Sequence, residues 1–314
     1  MLKIYNTNSD TQNFSKIDEF KKGSWINLIN PTDQEIEHVC NSINIDQEFI
    51  RYALDYEEKA RIDIEEDNTL FIIDVPIIEK NDDQLVYTTM PIGMIIVRDD
   101  YFLTVSLSEN KILNPFEENK VKDFATYMKS RFIFQILYNN ASTFLNYLKQ
   151  INKEIELTEN ELKNSLKNKE LLKLLSLEKS LVYFTTSLKS NELVMEKTMR
   201  GKVLKLYEDD EEILEDAIIE NKQAIEMSKI YSDILSGTMD AYASIISNNL
   251  NVVMKFLTSI TIILSIPTMI ASFWGMNVAL PLQNNVLGFI IIVVISIIVA
   301  LLATQWLKKR NMLY

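Results

Sequence analysis

The chain has 314 residues, of which 47% are hydrophobic, and its 32 basic and 44 acidic side chains give a net charge of −12. This acidity argues against a nucleic-acid partner, because the phosphates would be repelled. The one cysteine, Cys40, excludes an intramolecular disulfide, and the one histidine, His38, excludes a histidine-cluster metal site. The length suits two domains or one elongated unit, since single cores stop growing near about 250–300 residues.

Residues 1–115 predict a mixed α/β domain. Four stretches rich in β-branched and aromatic residues are typical of strands. They are Trp25–Ile29, Leu70–Val75, Leu85–Val97 and Tyr101–Leu107. A capping box between Thr32 and Glu35 predicts a short helix. The first residues, MLKIYNTNSD, lack a basic segment followed by an apolar one, so we expect no secretory signal.

The middle of the chain predicts long helices. No glycine or proline occurs between Pro115 and Gly201, which favours a long helical hairpin over residues 116–200. We assign the cytoplasmic stalk helix to the segment 201–255. The helix itself begins near Asp209 and continues into the apolar C-terminal part. The acidic run at its start, residues 208–212, is explained by a solvated helix N-terminus, where carboxylates are favoured. Weak cation binding between neighbouring subunits is the alternative, and the run itself does not decide between them.

The C-terminal part predicts a membrane hairpin. Between Lys255 and Lys308 lie 52 consecutive uncharged residues, enough for two spans and a turn. We assign the spans to 256–273 and 286–307, with an outer loop over 274–285. Lys255 and the basic tail, 308–314, then place both termini in the cytoplasm of a multi-pass protein of the cell membrane.

One face of the first span is polar. The polar side chains recur at steps of three or four residues, as they do on one face of a helix. They are Thr258, Thr261, Ser265, Thr268 and Ser272. The same spacing extends back through Met254, Asn251, Ser247, Ser244 and Asp240 to Gly237. Such a stripe indicates either close helix packing or a pore lined by several copies. Its extent, beyond the membrane segment, favours the pore.

A short motif follows the first span. Gly275, Met276 and Asn277 stand at the start of the outer loop, before a second span and a basic tail. In this setting the chain resembles the CorA family of divalent-cation channels. The resemblance covers about the last 100 residues, through the segments SGTMDAYASIISNNLNVVMKFLT and IASFWGMN. The N-terminal half agrees with the family in layout only.

The resemblance implies a homopentamer whose first spans line the pore and whose Gly275–Asn277 motif forms the outer selectivity filter. It implies that Asn277 binds hydrated Mg²⁺, which gives up its waters reluctantly. It also implies an inner narrow region formed by Asn251, Met254 and Leu257. Asp216 and Asp240 match stalk acids of the family, and Asp216 matches a regulatory Mg²⁺ site between subunits.

Four features depart from the family pattern. Trp274 replaces the tyrosine that usually precedes the motif, and Pro267 is displaced by about one residue. The outer loop from Val278 to Asn285 has no carboxylate. The second acid of the regulatory site, expected near Tyr52, is absent. Its candidate replacements are Asp55, Glu57 and Glu58.

The sequence therefore predicts an α/β cytoplasmic N-terminal domain and a long helical bundle or stalk that continues into a two-helix transmembrane hairpin. Helix dominates overall. The leading hypothesis is a Mg²⁺ channel driven by the membrane potential, with Co²⁺ or Ni²⁺ as further substrates and cytoplasmic Mg²⁺ as regulator. One alternative is a ZntB-type, proton-coupled Zn²⁺ transporter, against which the absence of ionisable residues in both spans counts. The other is a membrane-tethered coiled-coil scaffold. An enzyme is disfavoured, because no nucleophile–base pair occurs.

Overall fold

The computed structural model divides the chain into two compact units, Met1–Ser236 and Gly237–Tyr314. The residues that it describes are 1–81, 84–164, 168–201, 203–204, 207–278 and 286–313. The predicted fold class is confirmed. A sheet-containing α/β region comes first, long helices follow, and the last helix is strongly apolar.

Seven strands of the first unit form one sheet. They are β1 Leu2–Thr7, β2 Phe14–Ile17, β3 Trp25–Ile29, β4 Arg61–Glu65, β5 Asn68–Asn81, β6 Gln84–Val97 and β7 Tyr101–Ser106. Their order is β2-β1-β3-β7-β6-β5-β4, and only β3 and β7 run parallel. The four strands predicted from the sequence are confirmed, although β5 is longer than expected. Strands β1, β2 and β4 were not predicted, since they are short and carry several polar residues.

Helices cover both faces of the sheet. On one face, α1 (Asp33–Ile43) and α2 (Gln47–Tyr52) pack their apolar residues on those of β3, β6 and β7. The predicted capping box of α1 is confirmed, because the Thr32 hydroxyl accepts from the Glu35 N–H and the Glu35 carboxylate accepts from the Thr32 N–H. The long helices cover the opposite face. Their buried residues Phe132, Val194 and Leu214 belong to the hydrophobic core on that side of the sheet.

Five further helices follow in the described part of the chain. They are α3 Asn114–Glu117, α4 Lys129–Asn164, α5 Asn168–Met199, α6 Glu208–Trp274 and α7 Val286–Lys309. The prediction that one helix begins near Asp209 and runs through the first apolar segment is confirmed by α6, which has 67 residues. Pro267 lies inside this helix without ending it.

The prediction that the first long helix begins near residue 116 is wrong, because α4 begins at Lys129. Between α3 and α4 the backbone turns through Asn119 and Asp123, which both have positive φ angles. This path buries Phe124 and lets Thr126 exchange two side chain–backbone hydrogen bonds with Thr7 of β1. Long-range contacts, which are not visible as local periodicity, therefore set the start of the helix.

Candidate ion-conduction site

The polar stripe predicted for the first span lies on α6 within the second unit. All five of its hydroxyl side chains are exposed in the single chain: Thr258, Thr261, Ser265, Thr268 and Ser272. Four of them, with Leu264 and Met269, line a shallow groove of about 610 Å³. The structure thus brings four of the five predicted pore-lining hydroxyls to one shallow groove and leaves all five exposed.

The hydroxyls of the stripe are oriented by their own helix. Thr261 Oγ1 donates to the Leu257 carbonyl at 2.9 Å, Ser265 Oγ to Ile262 at 2.9 Å and Thr268 Oγ1 to Leu264 at 3.1 Å. Bonds of this kind use the hydroxyl proton and leave the oxygen lone pairs free. The groove therefore presents hydrogen-bond acceptors to whatever occupies it.

Ser259, the one hydroxyl residue of the segment that falls off the stripe, has a different role. It is fully buried, and its Oγ lies 2.7 Å from the Lys255 carbonyl oxygen and 3.0 Å from that of Met312. The second contact joins α6 to the tail beyond α7, and Leu307 in the last turns of α7 is also buried. This contact was not predicted from the sequence. The signal for it was the position of Ser259 on a different face of the helix from the stripe.

The Gly275–Asn277 motif directly follows the last residue of α6, Trp274. The Gly275 N–H donates to the Ala271 carbonyl at 2.9 Å and the Met276 N–H to Phe273 at 3.4 Å, so the helix unwinds through a turn. The Met276 and Asn277 side chains are exposed. The outer-loop residues Gln283, Asn284 and Asn285 lie outside the described residues.

Asn251, Met254 and Leu257 precede the hydroxyl stripe on α6, and all three side chains are exposed. Asp240 is exposed earlier on the same helix. Gly237 has open space around the position of a Cβ atom, so packing within the chain does not require a glycine there. These positions, like the stripe, are exposed on the single chain.

The acidic run at the start of α6 is not uniformly solvated. Asp210 is buried, and its carboxylate accepts from Arg131 Nε of α4 at 2.6 Å. This hydrogen bond is the main cause of the raised pKa of Arg131. Asp216 is exposed, and among the described residues it makes no hydrogen bond or ion pair. One acid of the run therefore fixes the helix to α4, while Asp216 stays available to a ligand.

The candidates for the second regulatory acid differ in their surroundings. Glu58 is paired with Arg61, whose Nε also donates to Asp63 at 2.5 Å. The Asp55 carboxylate accepts from the Glu57 N–H, and both side chains are exposed. No group of three or more histidine, cysteine or acidic side chains that could hold a metal occurs within the part of the chain that the structure describes.

Two described helices are long and apolar enough to cross a membrane, and they are Asp209–Trp274 and Leu287–Lys309. Within their most apolar windows only 6% and 11% of the residues are buried, unlike the core helix of a soluble protein. The family described as CorA-like Mg²⁺ transporter protein matches residues 20–309. The chain belongs to this family. Its members are membrane transporters of Mg²⁺, a class distinct from enzymes.

Two relatives are cobalt/magnesium transport proteins named CorA. The one from Methanocaldococcus jannaschii is 27% identical over 297 residues, which cover 91% of this chain and 90% of the relative. The complete structure of the CorA magnesium transporter from the same organism superposes with a TM-score of 0.84 over 97% of this chain and 96% of the other, at 25% identity. The one from Thermotoga maritima is 30% identical over 148 residues, 43% of this chain and 42% of the relative.

A more distant likeness bears on the Zn²⁺ alternative. The cytoplasmic domain of ZntB from Vibrio parahaemolyticus superposes with a TM-score of 0.62, covering 78% of this chain and 98% of the other. Its sequence identity is 9%, so the likeness shows a shared fold and carries no transport specificity.

Proposed function

We propose that five copies of this chain form a channel that conducts Mg²⁺, and also Co²⁺ or Ni²⁺, into the cell down the membrane potential. The observation that carries the proposal is the exposed row of hydroxyl oxygens on α6, which leads to the Gly275–Asn277 turn. The Mg²⁺ and Co²⁺ transport named for the two CorA relatives supports it. Both chain termini would lie in the cytoplasm, as the basic residues at 255 and 308–310 favour.

The chemistry of the stripe suits a hydrated ion. Mg²⁺ holds its first-shell waters tightly, and those waters direct their hydrogens outward. A pore for the intact hydrated ion therefore needs acceptors along its wall. The hydroxyl oxygens of Thr261, Ser265 and Thr268 are such acceptors, because their protons are committed to backbone carbonyls. One such oxygen per helical turn on each of five helices would give an ion successive, weak binding positions.

In this proposal Asn277 is the outer filter. Its exposed carboxamide lies at the end of α6, and five copies would supply a ring of neutral oxygens. Such a ring accepts hydrogen bonds from the ion's waters without replacing them. Towards the cytoplasm, the exposed Met254 and Leu257 would form an apolar constriction, which stops conduction by excluding water when it is narrow.

Transport into liposomes tests the proposal. The purified chain, reconstituted with an internal Mg²⁺-sensitive dye and an inside-negative potential, should take up Mg²⁺, and Asn277→Ala should abolish uptake. Asn249→Ala is the matched control, because Asn249 is exposed on α6 but lies off the stripe. Particle mass in detergent should correspond to five chains. Uptake of Zn²⁺ that requires a pH gradient, without potential-driven Mg²⁺ uptake, would overturn the proposal in favour of proton-coupled Zn²⁺ transport.

We also propose that cytoplasmic Mg²⁺ closes the channel by binding Asp216. Its exposed carboxylate is a suitable oxygen ligand, and the remaining ligands would come from a neighbouring copy and from water. Asp240 would add negative charge on the same helix. Asp216→Asn should keep Mg²⁺ uptake but weaken its inhibition by Mg²⁺ on the cytoplasmic side at least several-fold, in proteoliposomes loaded with graded Mg²⁺. Unchanged inhibition would exclude Asp216 from the site.

A further inference from the structure

Basic residues cluster at one end of the second unit. Lys255 precedes the apolar part of α6, and Lys308, Lys309 and Arg310 end α7 and begin the tail; all four side chains are exposed. Asp240 is the unit's one acidic side chain in the sequence, and it stands fifteen residues before Lys255. No described carboxylate therefore neutralises these four cations within the unit.

The fold of the tail brings the two basic segments together. Asn311 adopts a positive φ of 54°, and the Met312 N–H donates back to the Leu307 carbonyl at 3.1 Å. This turn is a common way to end a helix. It directs the Met312 carbonyl to Ser259 Oγ, whose single proton is shared between the Met312 carbonyl at 3.0 Å and the Lys255 carbonyl at 2.7 Å. The carbonyl oxygens of residues 255 and 312 are thus held within about 6 Å of each other.

An aromatic ring accompanies the cluster. The Arg310 guanidinium lies 5.8 Å from the centroid of the Trp306 ring, and 59% of the Trp306 side chain is exposed. Tryptophan is enriched where a membrane-spanning helix passes the headgroup region, and arginine beside it is well placed to reach a phosphate. The arrangement combines an apolar wall for acyl chains with cations at headgroup depth.

We infer that Lys255, Lys308, Lys309 and Arg310 form a binding site for the headgroup of an anionic phospholipid at the cytoplasmic end of the hairpin. The inference rests on the proposed function in one respect, since it takes α6 and α7 to cross the membrane with this end at the cytoplasmic surface. Juxtamembrane clusters of four or more basic residues attract anionic lipids, each cation adding about fivefold to the affinity. The hydrogen bond from Ser259 to Met312 would hold the site together.

Quenching of Trp306 fluorescence by brominated lipids tests the inference on the full-length protein. Trp274→Phe removes the other tryptophan of the unit, and Trp25 is fully buried. Brominated phosphatidylglycerol should bind next to Trp306 at least about fivefold more tightly than brominated phosphatidylcholine. Replacing Lys308, Lys309 and Arg310 together by glutamine should bring the ratio of the two lipid affinities close to one, whereas Lys309→Arg should preserve that ratio.

Two further arms separate the sources of the effect. Ser259→Ala releases the tail without changing a charge, and it should lower the preference about twofold or more. Millimolar inorganic phosphate should not displace the lipid, because a free anion lacks the acyl chains that contact the apolar wall. Equal affinity of both lipids in the unaltered site, or a preference that survives the triple glutamine replacement, would overturn the inference. Mg²⁺ uptake in neutral liposomes, measured in parallel, shows independently whether the channel proposal stands.

Discussion

The two units treat polar side chains in opposite ways. In the first unit, a chain of polar side chains lies inside, and its members are paired with one another. Trp25 Nε1 donates to Thr104 Oγ1 at 2.8 Å, Thr104 Oγ1 donates to Asn27 Oδ1 at 2.9 Å, and Asn27 Nδ2 donates to the Glu117 carboxylate at 2.7 Å. Lys3 completes the chain through an ion pair with Glu117 at 2.8 Å. Burial, together with the charge of Glu117, raises the pKa of Tyr5 to about 12.

In the second unit the apolar side chains lie outside, and the polar ones line an exposed groove. Large apolar residues such as Phe289 and Leu302 are 71% and 60% exposed, whereas the hydroxyls of the stripe bond only to their own backbone. The difference teaches that each unit is built for a different solvent. In water, a buried polar group must be paired. In lipid, the outer surface must be apolar, so polar side chains gather where the bilayer is absent.

The largest stability effect should come from breaking the buried network of the first unit. Thr104→Val keeps the shape but leaves Trp25 Nε1 and Asn27 Oδ1 without a partner. Two unpaired buried groups should lower the free energy of unfolding by about 3 kcal/mol. For a domain of this size we expect the midpoint of thermal unfolding, followed by circular dichroism in detergent, to fall by roughly 6–12 °C. Thr186→Val is the control, since Thr186 is exposed on α5 and bonds only to its own helix; an equal fall there would contradict the role of the network.

A smaller loss should follow from removing the ion pair that fixes the start of α6. Arg131→Met leaves the buried Asp210 carboxylate without its cation, at a cost of about 2 kcal/mol. The cost stays below that of a completely buried pair, because a fifth of the Arg131 side chain is exposed. The midpoint of thermal unfolding again measures this loss of stability. Lys120→Met, which removes a pair that is exposed on both sides, should leave the midpoint unchanged.

The smallest effect on stability is expected from substitutions in the stripe. These substitutions should instead lower the rate of Mg²⁺ transport. Thr261→Val with Thr268→Val removes two hydroxyls that bond only to the backbone of their own helix, so the free energy of unfolding should change by less than about 0.5 kcal/mol. Mg²⁺ uptake should fall about tenfold, since losing about 1.4 kcal/mol of hydrogen bonding to the hydrated ion changes a rate by that factor. Thr304→Val on α7 is the matched control. Normal uptake in the double variant would show that the stripe serves helix packing.

Local patterns predicted much of this chain. The capping box of α1, the strands of the sheet centre and the single long helix through residues 208–274 follow from residue type and spacing alone. The hydroxyl stripe was also predictable, because a period of three to four residues defines one face of a helix before any contact is known. The family followed from the Gly275–Asn277 motif in its setting, and the match over residues 20–309 confirms it.

Contacts between distant residues were not predictable in this way. Asp74 of β5 lies beyond the end of β4. The Asp74 N–H donates to Asn191 Oδ1, and the Asp74 carbonyl oxygen accepts from the side-chain amides of Asn140 and Asn191. Its partner across the ladder is Pro91, which has no N–H. Two asparagines from α4 and α5 therefore complete the edge of the sheet, although nothing near them in the sequence distinguishes them from surface residues.

The sequence by itself determined which segments are long and apolar enough to cross a membrane, which face of α6 is polar and where the motif stands. These properties depend on the solvent around each residue and on the period of a helix, and both are encoded locally. Only the tertiary structure decided that Asp210 pairs with Arg131, that α4 begins at Lys129 and that Ser259 holds the tail through Met312. Each of these depends on two segments that are far apart in the chain but meet in space, and such meetings are a property of the packed fold.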